Sequence, residues 1–201
     1  MAKFVLGVDI DGVIADYTAG FAEFVAARRG ISPASLPKRK SYDFSEWGVT
    51  DTDSSSWHRI AAIDNRMLVR LSMIPDASEV LWRLSDEGVW VRVITHRLYY
   101  NWGHVVTVTD TVNWLDDNNI PYRDICFLGD KPEVGADLYV DDAPHNIVVL
   151  RTNGSEAIVF DQPYNRDLPA PRATNWLDVE KYVMKRLASM ENVGRQMEDL
   201  V

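Results

Sequence analysis

The chain has 201 residues, of which 46% are hydrophobic and 25% charged, so it suits one globular domain and is not built like a disordered chain. Its net charge of −9 and its pI near 4.9 argue against a partner with a phosphate backbone, which excludes nucleic acid polymers. Cys126 is the single cysteine, no apolar run is long enough to span a membrane, and no signal peptide precedes the first predicted strand, so we expect a cytoplasmic protein without internal disulfides.

The first predicted elements are a buried strand and a helix. Residues 4–8 form a compact apolar run that ends in Asp9-Ile10-Asp11-Gly12, which predicts a strand with two acids at its carboxyl end. Residues 18–29 have the apolar periodicity of a helix, and Gly30 stands where a C-cap belongs. After a loop-rich stretch, residues 54–71 again have a helical pattern.

The second half of the chain alternates helices with short strands. Asp76-Ala77-Ser78-Glu79 has the form of a capping box and predicts the start of a helix that Gly88 ends. Further helices are predicted over residues 111–118 and from Asp178 onward. Strands are predicted over residues 89–95, 125–128, 138–140 and 157–160. This alternation is typical of an α/β fold with a doubly wound parallel sheet.

Polar side chains follow several of these strands. In an open parallel sheet the carboxyl ends of the strands share one edge, and ligands bind there. The candidate residues at this edge are Asp9, Asp11, Thr95, Asp130, Lys131, Asp141 and Asp142. Acidic oxygens favour Mg²⁺, which binds a few carboxylates together with a substrate phosphate, whereas the four histidines lack a zinc spacing. A nucleophile, a metal, a lysine and an acid together meet the demands of phosphate ester hydrolysis.

These residues resemble the four motifs of the haloacid dehalogenase (HAD) superfamily. Asp9-Ile10-Asp11-Gly12-Val13 resembles motif one, DxDGV/T, and Val93-Ile94-Thr95 is similar to motif two. Lys131 matches the lysine of motif three, and Tyr139-Val140-Asp141-Asp142 is similar to the acid pair of motif four. The order and spacing agree over residues 4–145. The resemblance implies a Rossmannoid, HAD-like core that hydrolyses a phosphate ester.

Within that superfamily, the chain looks most like the 5′(3′)-deoxyribonucleotidases, whose first motif runs DxDGVLADF. Residues 9–17, 141–146 and 160–165 carry this likeness. The chain departs from the group after motif two, where Thr95-His96-Arg97 stands in place of Thr-Ser-Pro. Because this segment borders the substrate, nucleotide specificity is open. The resemblance implies a nucleoside monophosphate as substrate, and another small phosphate ester such as a sugar phosphate is the alternative.

The resemblance also implies a role for each motif residue. Asp9 attacks phosphorus and becomes an aspartyl phosphate, while Asp11 protonates the leaving alkoxide and then activates water. Mg²⁺ is held by Asp9, the backbone carbonyl of Asp11, and Asp141. The expected phosphate- and substrate-binding residues of the motifs are Thr95, His96 and Lys131.

The stretch between the first two strands is too long for one crossover. Residues 17–75 are therefore predicted to form a small helical cap subdomain, and residues 1–16 and 76–201 to form the HAD-like core. Aromatic side chains in the cap can stack a nucleobase, and Phe44 and Trp47 are the candidates. Alternatively, these rings pack the apolar centre of the cap itself.

Two alternatives to a nucleotidase stay open within the resemblance. A HAD phosphatase for another small ester and a HAD-fold protein that binds without catalysis both compete with a nucleotidase. All the motif residues are present, which favours an enzyme. The helical tail from Asp178 either docks on the body of the protein or forms a homodimer contact.

Overall fold

A parallel sheet forms the centre of the protein. The structure is a computed structural model that describes residues 3–49, 56–98 and 103–198, with side chains described up to residue 190. Within these residues the strands are β1 (Val5–Val8), β2 (Trp90–Thr95), β3 (Asp124–Phe127), β4 (Leu138–Asp141), β5 (Ala157–Phe160) and β6 (Arg172–Ala173). They pair in the order β3-β2-β1-β4-β5-β6, and every pair is parallel. The predicted α/β fold with a parallel sheet is therefore confirmed.

Helices cover both faces of this sheet. Those described are α1 (Tyr17–Arg29), α2 (Ala77–Asp86), α3 (His104–Asp117), α4 (Pro144–Thr152) and α5 (Trp176–Glu198). Alternate strand side chains enter two apolar clusters, as the pleat of a strand requires. Leu6 and Val93 pack with α2, α3 and α5 in one cluster, and Ile94 and Tyr139 pack with α4 in the other. Both faces are thus buried, which explains why the strands are nearly continuous apolar runs.

The central position of β1 gathers the functional residues. Val8 pairs with Val93 of β2 on one side and with Val140 of β4 on the other. The carboxyl ends of these three strands therefore lie next to one another, and the chain leaves β1 directly into the acids at positions 9 and 11.

Two indole groups hold the loops around this edge. The Nε1 atom of Trp176, at the start of α5, donates to the carbonyl oxygen of Val13 at 2.9 Å. The Nε1 atom of Trp114, in α3, donates to the carbonyl oxygen of Leu71 at 2.8 Å. Both indoles are almost fully buried, so each bond replaces a lost contact with water.

The ends of α1 follow local capping rules. The Oδ1 atom of Asp16 accepts from the backbone N–H of Ala19 at 2.9 Å, as an N-cap does. Gly30 ends the helix with φ of 65°, in the left-handed region that glycine adopts without strain.

The predicted continuous helix over residues 54–71 is wrong. Residues 54 and 55 lie outside the described residues, and a helical turn over residues 56–59 runs into a π-helix, Ile60–Asp64. The backbone of Arg66 has φ of 49°, which no helix tolerates, and a 3₁₀ turn, Met67–Arg70, follows. The cause is non-local, because the Arg66 guanidinium is drawn to the buried carboxylate of Asp110 in α3.

Two helix starts also differ from the sequence pattern. Asp76 has φ of 65° and makes no side-chain cap, so the predicted capping box does not form. α3 begins at His104, well before the predicted residue 111, because packing overrides the low helix propensity of its β-branched first turns.

The last helix docks on the body of the protein. Val179 and Val183 of α5 are fully buried in the main apolar cluster, and Arg83 of α2 forms a bidentate pair with Glu180. A homodimer contact stays a prediction. None of the helices in the described part of the chain is long and apolar enough to cross a membrane.

Candidate active site

A buried lysine joins the ends of two strands. The Nζ atom of Lys131, in the turn after β3, lies 2.8 Å from Oδ1 of Asp9 and 2.6 Å from Oδ2 of Asp141. The lysine is 3% exposed, Asp9 9% and Asp141 1%, so water screens these charges poorly. The predicted residues of motifs one, three and four are therefore brought into direct contact.

The acid pair at the end of β4 is held by its neighbours. Asp141 accepts from the backbone N–H of Ala143 at 2.9 Å and from the side-chain amide of Asn146 at 3.2 Å. Asp142 accepts a hydrogen bond from the hydroxyl of Tyr164. These contacts fix both carboxylates before any ligand binds.

Gly12 is required by the same acid pair. Its φ is 85°, and a Cβ atom built on it would overlap the carboxylate of Asp142. Any larger residue here would push Asp142 away from the other acids. This explains the glycine of motif one as a close approach of the backbone to motif four.

Electrostatic crowding shifts the pKa values of the cluster. Burial raises the pKa of Asp9 to about 7, with Asp141 and Asp11 adding to the rise and Lys131 opposing it. Burial, together with the charges of Asp9 and Asp141, also raises the pKa of Asp142 well above its usual range. Burial alone would lower the pKa of Lys131, but its two carboxylate partners reverse this and raise it.

This arrangement fits a divalent cation. Carboxylate oxygens of Asp9, Asp141 and Asp142 lie within 4.8 Å of one another. When ionised, these three acids carry three negative charges, and Lys131 balances one of them. The two that remain match the charge of Mg²⁺. An all-oxygen donor set is what a hard cation prefers. The side chain of Asp142, which the sequence left uncertain, belongs to this group.

The side chain of Asp11 has a different partner. Arg97, just beyond β2, donates from Nε to Oδ2 of Asp11 at 2.9 Å and from Nη2 to Oδ1 at 2.6 Å. The backbone N–H of Arg97 donates to Oγ1 of Thr95 at 3.3 Å, so the Thr95 hydroxyl keeps its proton for a ligand. The position of Thr95 at the end of β2 is the one predicted.

A cavity of about 420 Å³ opens above these strand ends. Residues 17–75 and the rest of the described chain line it in roughly equal numbers. Outside residues 17–75 these are Asp9, Asp11, Gly12, Thr95, His96, Arg97, Asp142, Ala143, Asn146 and Tyr164. From residues 17–75 they are Tyr17, Thr18, Arg39, Tyr42, Asp43, Phe44, His58 and Leu68. The acids thus face a half-open cavity that is large enough for a small-molecule ligand.

The two aromatic candidates of the cap occupy different places. Phe44 lines the cavity, although its side chain is 4% exposed. Trp47 lies behind Phe44, with ring centroids 5.0 Å apart, and is not among the residues that line the cavity. Its indole donates to the carbonyl oxygen of Pro37 at 2.7 Å, so Trp47 holds the loop that carries Phe44.

A buried arginine joins residues 17–75 to the segment that follows β5. Arg39 is 9% exposed, and its guanidinium carbon lies 3.7 Å from the ring centroid of Phe44 and 3.8 Å from that of Tyr164. It donates to Oγ1 of Thr18 at 2.6 Å and to the carbonyl oxygen of Tyr42 at 2.6 Å. Cation–π contacts of this kind strengthen when they are desolvated.

Sequence reasoning missed Arg39, and it gave Arg97 and Tyr164 no role. Arg39 lies in a stretch rich in Ser, Pro and Lys that has the composition of an exposed loop. Arg97 did stand out as the departure from Thr-Ser-Pro, and Tyr164 lay in a segment that resembles the nucleotidases. These two sequence features pointed to the positions of Arg97 and Tyr164 but did not predict which residues they contact.

Two histidines, His58 and His96, line the same cavity. His96 and His145 stack with ring centroids 6.2 Å apart, and burial lowers the pKa of His96 to about 4. His58 stacks on Phe21 at 4.1 Å, and its Nδ1 atom lies 2.6 Å from the hydroxyl of Tyr17. Burial and the charge of Arg39 lower the pKa of His58 to about 4.

The shift at His58 makes stability depend on pH. The unfolded chain binds a proton at His58 near pH 6.5 and the folded chain near pH 4, so the free energy of unfolding falls as the pH drops through this window. The His58 contribution is about 2 kcal/mol between pH 6.5 and 4.5. We expect His58→Gln to remove that part of the slope.

The measurement is urea unfolding of both proteins at several pH values. The two proteins are compared by how steeply the free energy of unfolding changes with pH, because the substitution also changes the absolute stability. His96 shifts in the same direction and stays in both proteins, so it cancels. Identical slopes for the two proteins would contradict the prediction.

The fold and the site together define a HAD-like hydrolase. The structure is similar to a haloacid dehalogenase-like hydrolase from Streptococcus pneumoniae, with a TM-score of 0.62 at 11% identity over 90% of this chain and 98% of that one. It is also similar to a HAD-superfamily hydrolase from Geobacter sulfurreducens, with a TM-score of 0.55 at 17% identity over 90% of this chain and 100% of that one.

Sequence comparison identifies the family within the HAD-like hydrolases to which the chain belongs. Residues 3–188 match the model of the family described as 5′ nucleotidase, deoxy (pyrimidine), cytosolic type C protein, and the chain belongs to this family. A Chlorobaculum tepidum protein with a provisional assignment as a 5′(3′)-deoxyribonucleotidase is 40% identical over 178 residues, 88% of each chain. A 5′(3′)-deoxyribonucleotidase from Bacillus subtilis is 24% identical over 185 residues, 90% of this chain and 99% of that one. The protein is an enzyme, a phosphatase, and the resemblance seen in the motifs is confirmed.

Proposed function

We propose that the protein is a Mg²⁺-dependent 5′(3′)-deoxyribonucleotidase that hydrolyses nucleoside monophosphates through an aspartyl phosphate. The observation that carries this is the contact of Lys131 with both Asp9 and Asp141 at the base of a half-open cavity. The family membership and the names of the relatives support the substrate.

In the first step, a carboxylate oxygen of Asp9 attacks phosphorus and the bond from phosphorus to the ester oxygen breaks. Asp11 gives a proton to the leaving alkoxide, which departs as the free nucleoside. The hydroxyl of Thr95 donates a hydrogen bond to one phosphoryl oxygen. The compact positive charge of Lys131 neutralises a second phosphoryl oxygen. The product of this step is a phosphate ester of Asp9.

In the second step, water attacks the phosphorus of the aspartyl phosphate. Asp11 takes a proton from this water, the bond from phosphorus to Asp9 breaks, and inorganic phosphate leaves. Asp9 is then a carboxylate and Asp11 is again protonated. The sum of both steps is one ester and one water converted to one nucleoside and one phosphate.

Asp9 and Asp141 would hold the magnesium ion, together with the backbone carbonyl of Asp11. Asp142 lies close enough to take part through a bound water. When bound, the ion supplies positive charge that stabilises the charge developing on the phosphoryl oxygens. Lys131 and the ion would then share the two acids that Lys131 bridges in the structure.

We also propose that residues 17–75 act as the cap and residues 1–16 and 76–201 as the catalytic core. The cavity supports this division, since the cap contributes aromatic rings and the core contributes the acids. In this proposal Phe44 contacts the base, His96 borders the phosphate, and Trp47 supports Phe44 from behind. Tyr42, which is 46% exposed, is a further ring within reach of a base.

A panel of substrates tests the proposed function. Nucleoside monophosphates, with deoxyribonucleotides among them, are compared with sugar phosphates under the same conditions in the presence of Mg²⁺. We expect the highest kcat/KM for a nucleotide. A higher kcat/KM for a sugar phosphate than for every nucleotide would reject the substrate class.

The role of the Phe44 ring gives a prediction of its own. Stacking on an aromatic ring contributes ~1–3 kcal/mol per base, so Phe44→Leu is expected to lower kcat/KM for a nucleotide roughly five- to 150-fold. Hydrolysis of p-nitrophenyl phosphate should change little, because that small substrate does not reach the ring.

Trp47→Leu is the matched control for this variant. Trp47 supports the same loop without lining the cavity, so Trp47→Leu leaves the Phe44 ring in place with weaker support and should lower kcat/KM for a nucleotide less than Phe44→Leu does. Equal losses on both substrates for Phe44→Leu would mean that Phe44 packs the cap and contacts no base.

A further inference from the structure

Arg97 is buried against the proposed proton-transfer residue. Its side chain is 4% exposed, and its two donors meet the two oxygens of Asp11 at 2.9 and 2.6 Å. Asp11 is its ion-pair partner within the described residues. Such a pair is poor evidence of stability, because burial of an arginine costs about as much as the pair returns. A function therefore has to account for it.

The guanidinium is itself held from behind. Its Nη1 atom donates to Oγ1 of Thr111 in α3 at 3.0 Å, and Thr111 is fully buried. The backbone N–H of Arg97 donates to Thr95. Arg97 is thus anchored to α3 on one side and to the end of β2 on the other, and the plane of its fork is fixed.

This anchoring fixes the carboxylate of Asp11. A planar fork with two parallel donors leaves a carboxylate one orientation, which a single ammonium group does not do. Each carboxylate oxygen has a second lone pair, and the side chain of Asp11 remains 27% exposed and lines the cavity. The oxygens are therefore held on one side by Arg97 and open to the substrate on the other.

We infer that Arg97 is the positioning residue of Asp11. It sets the carboxyl group where, when protonated, it gives its proton to the leaving oxygen and where, as a carboxylate, it then takes a proton from water. This inference rests on the proposed function. Arg97 acts through Asp11 and does not need to touch the phosphate. The competing role is direct binding of the phosphate by Arg97, which also lines the cavity.

The test compares Arg97→Lys in the wild-type protein and in an Asp11→Asn background. Lysine keeps the positive charge but lacks the two parallel N–H donors of the guanidinium. Proton transfer by a positioned side chain contributes ~10²–10⁴-fold, so Arg97→Lys is expected to lower kcat/KM for a nucleoside monophosphate by roughly 100-fold. In the Asp11→Asn background the same substitution should change it less than about threefold, because the group it positions is gone.

The leaving group provides a second readout. Nitrophenolate leaves without a proton, so kcat/KM for p-nitrophenyl phosphate should fall less than about fivefold in Arg97→Lys. Replacement of a residue that binds phosphate would lower kcat/KM for both substrates alike, and so would replacement of a purely structural residue. Equal losses on the two substrates, or a full additional loss in the Asp11→Asn background, would overturn the inference.

Two further variants control for folding. Arg92 lies in β2, the strand that precedes Arg97, and makes the same two-donor contact with Asp124, at 2.7 and 2.9 Å, away from the cavity. Arg92→Lys should leave the substrate ratio unchanged. Thr111→Val removes the rear anchor of Arg97 without entering the cavity, and we expect it to lower the nucleotide rate several-fold more than the aryl phosphate rate.

The outcome separates the inference from the proposed function. Wild-type protein that hydrolyses no nucleotide, or an Asp11→Asn variant with wild-type kcat/KM, contradicts the proposed function itself. The inference alone is contradicted if the wild-type and Asp11→Asn proteins behave as proposed, but Arg97→Lys lowers kcat/KM by the same factor in both backgrounds.

Discussion

Asp9→Asn is expected to abolish phosphate release from every substrate, with a loss of ~10³-fold or more in kcat, because an amide is no nucleophile toward phosphorus. The substitution keeps the volume of the side chain. Lys131 retains its contact with Asp141, so the variant should fold. The measurement is the rate of phosphate release from a nucleotide and from p-nitrophenyl phosphate, together with a circular dichroism spectrum.

The same loop offers a matched control for this variant. Asp16 caps α1 through its Oδ1 atom, and asparagine is an equally good N-cap. Asp16→Asn should therefore keep the wild-type rate. Retention of more than a few per cent of that rate by Asp9→Asn would remove Asp9 from the role of nucleophile.

Removal of divalent cations is expected to have an effect of similar size. Excess chelator should reduce turnover to background and added Mg²⁺ should restore it, because no side chain can replace the missing charge among the three acids. Turnover that persists in excess chelator would contradict the proposed metal dependence.

The ligand set can be probed through Asn146. Its amide donates to both oxygens of Asp141, and loss of such an orienting contact typically costs ~10–100-fold in metal affinity. Asn146→Ala should therefore raise the Mg²⁺ concentration for half-maximal activity by about that factor. An unchanged Mg²⁺ requirement would mean that Asp141 is not a ligand.

The sheet and the positions of the strand ends could be predicted because they depend on local patterns. The apolar runs that form β1, β2, β4 and β5 are each bounded by turns or acids, and their alternation with helices predicts a parallel sheet. The two-residue strand β6 has no pattern of its own. The helix over residues 54–71 failed because its break depends on Asp110, which lies 44 positions away from Arg66.

The site shows the same division. Asp9, Thr95, Lys131 and Asp141 follow strands, so their approach to one edge follows from the topology alone. The contacts of the two arginines do not follow from the strand pattern. Arg39 becomes buried through Tyr164, far along the chain, and Arg97 turns toward Asp11 because Thr111 of α3 holds it. Such contacts require the fold to be known first.

The bond from the Trp176 indole to the carbonyl oxygen of Val13 spans 163 positions. The loop that carries both acids of motif one leaves the ribosome well before β4 and this indole. A nascent chain that lacks residue 176 holds the acids in a loop without this contact. The loop therefore gains its last support only when residue 176 has been made and packed.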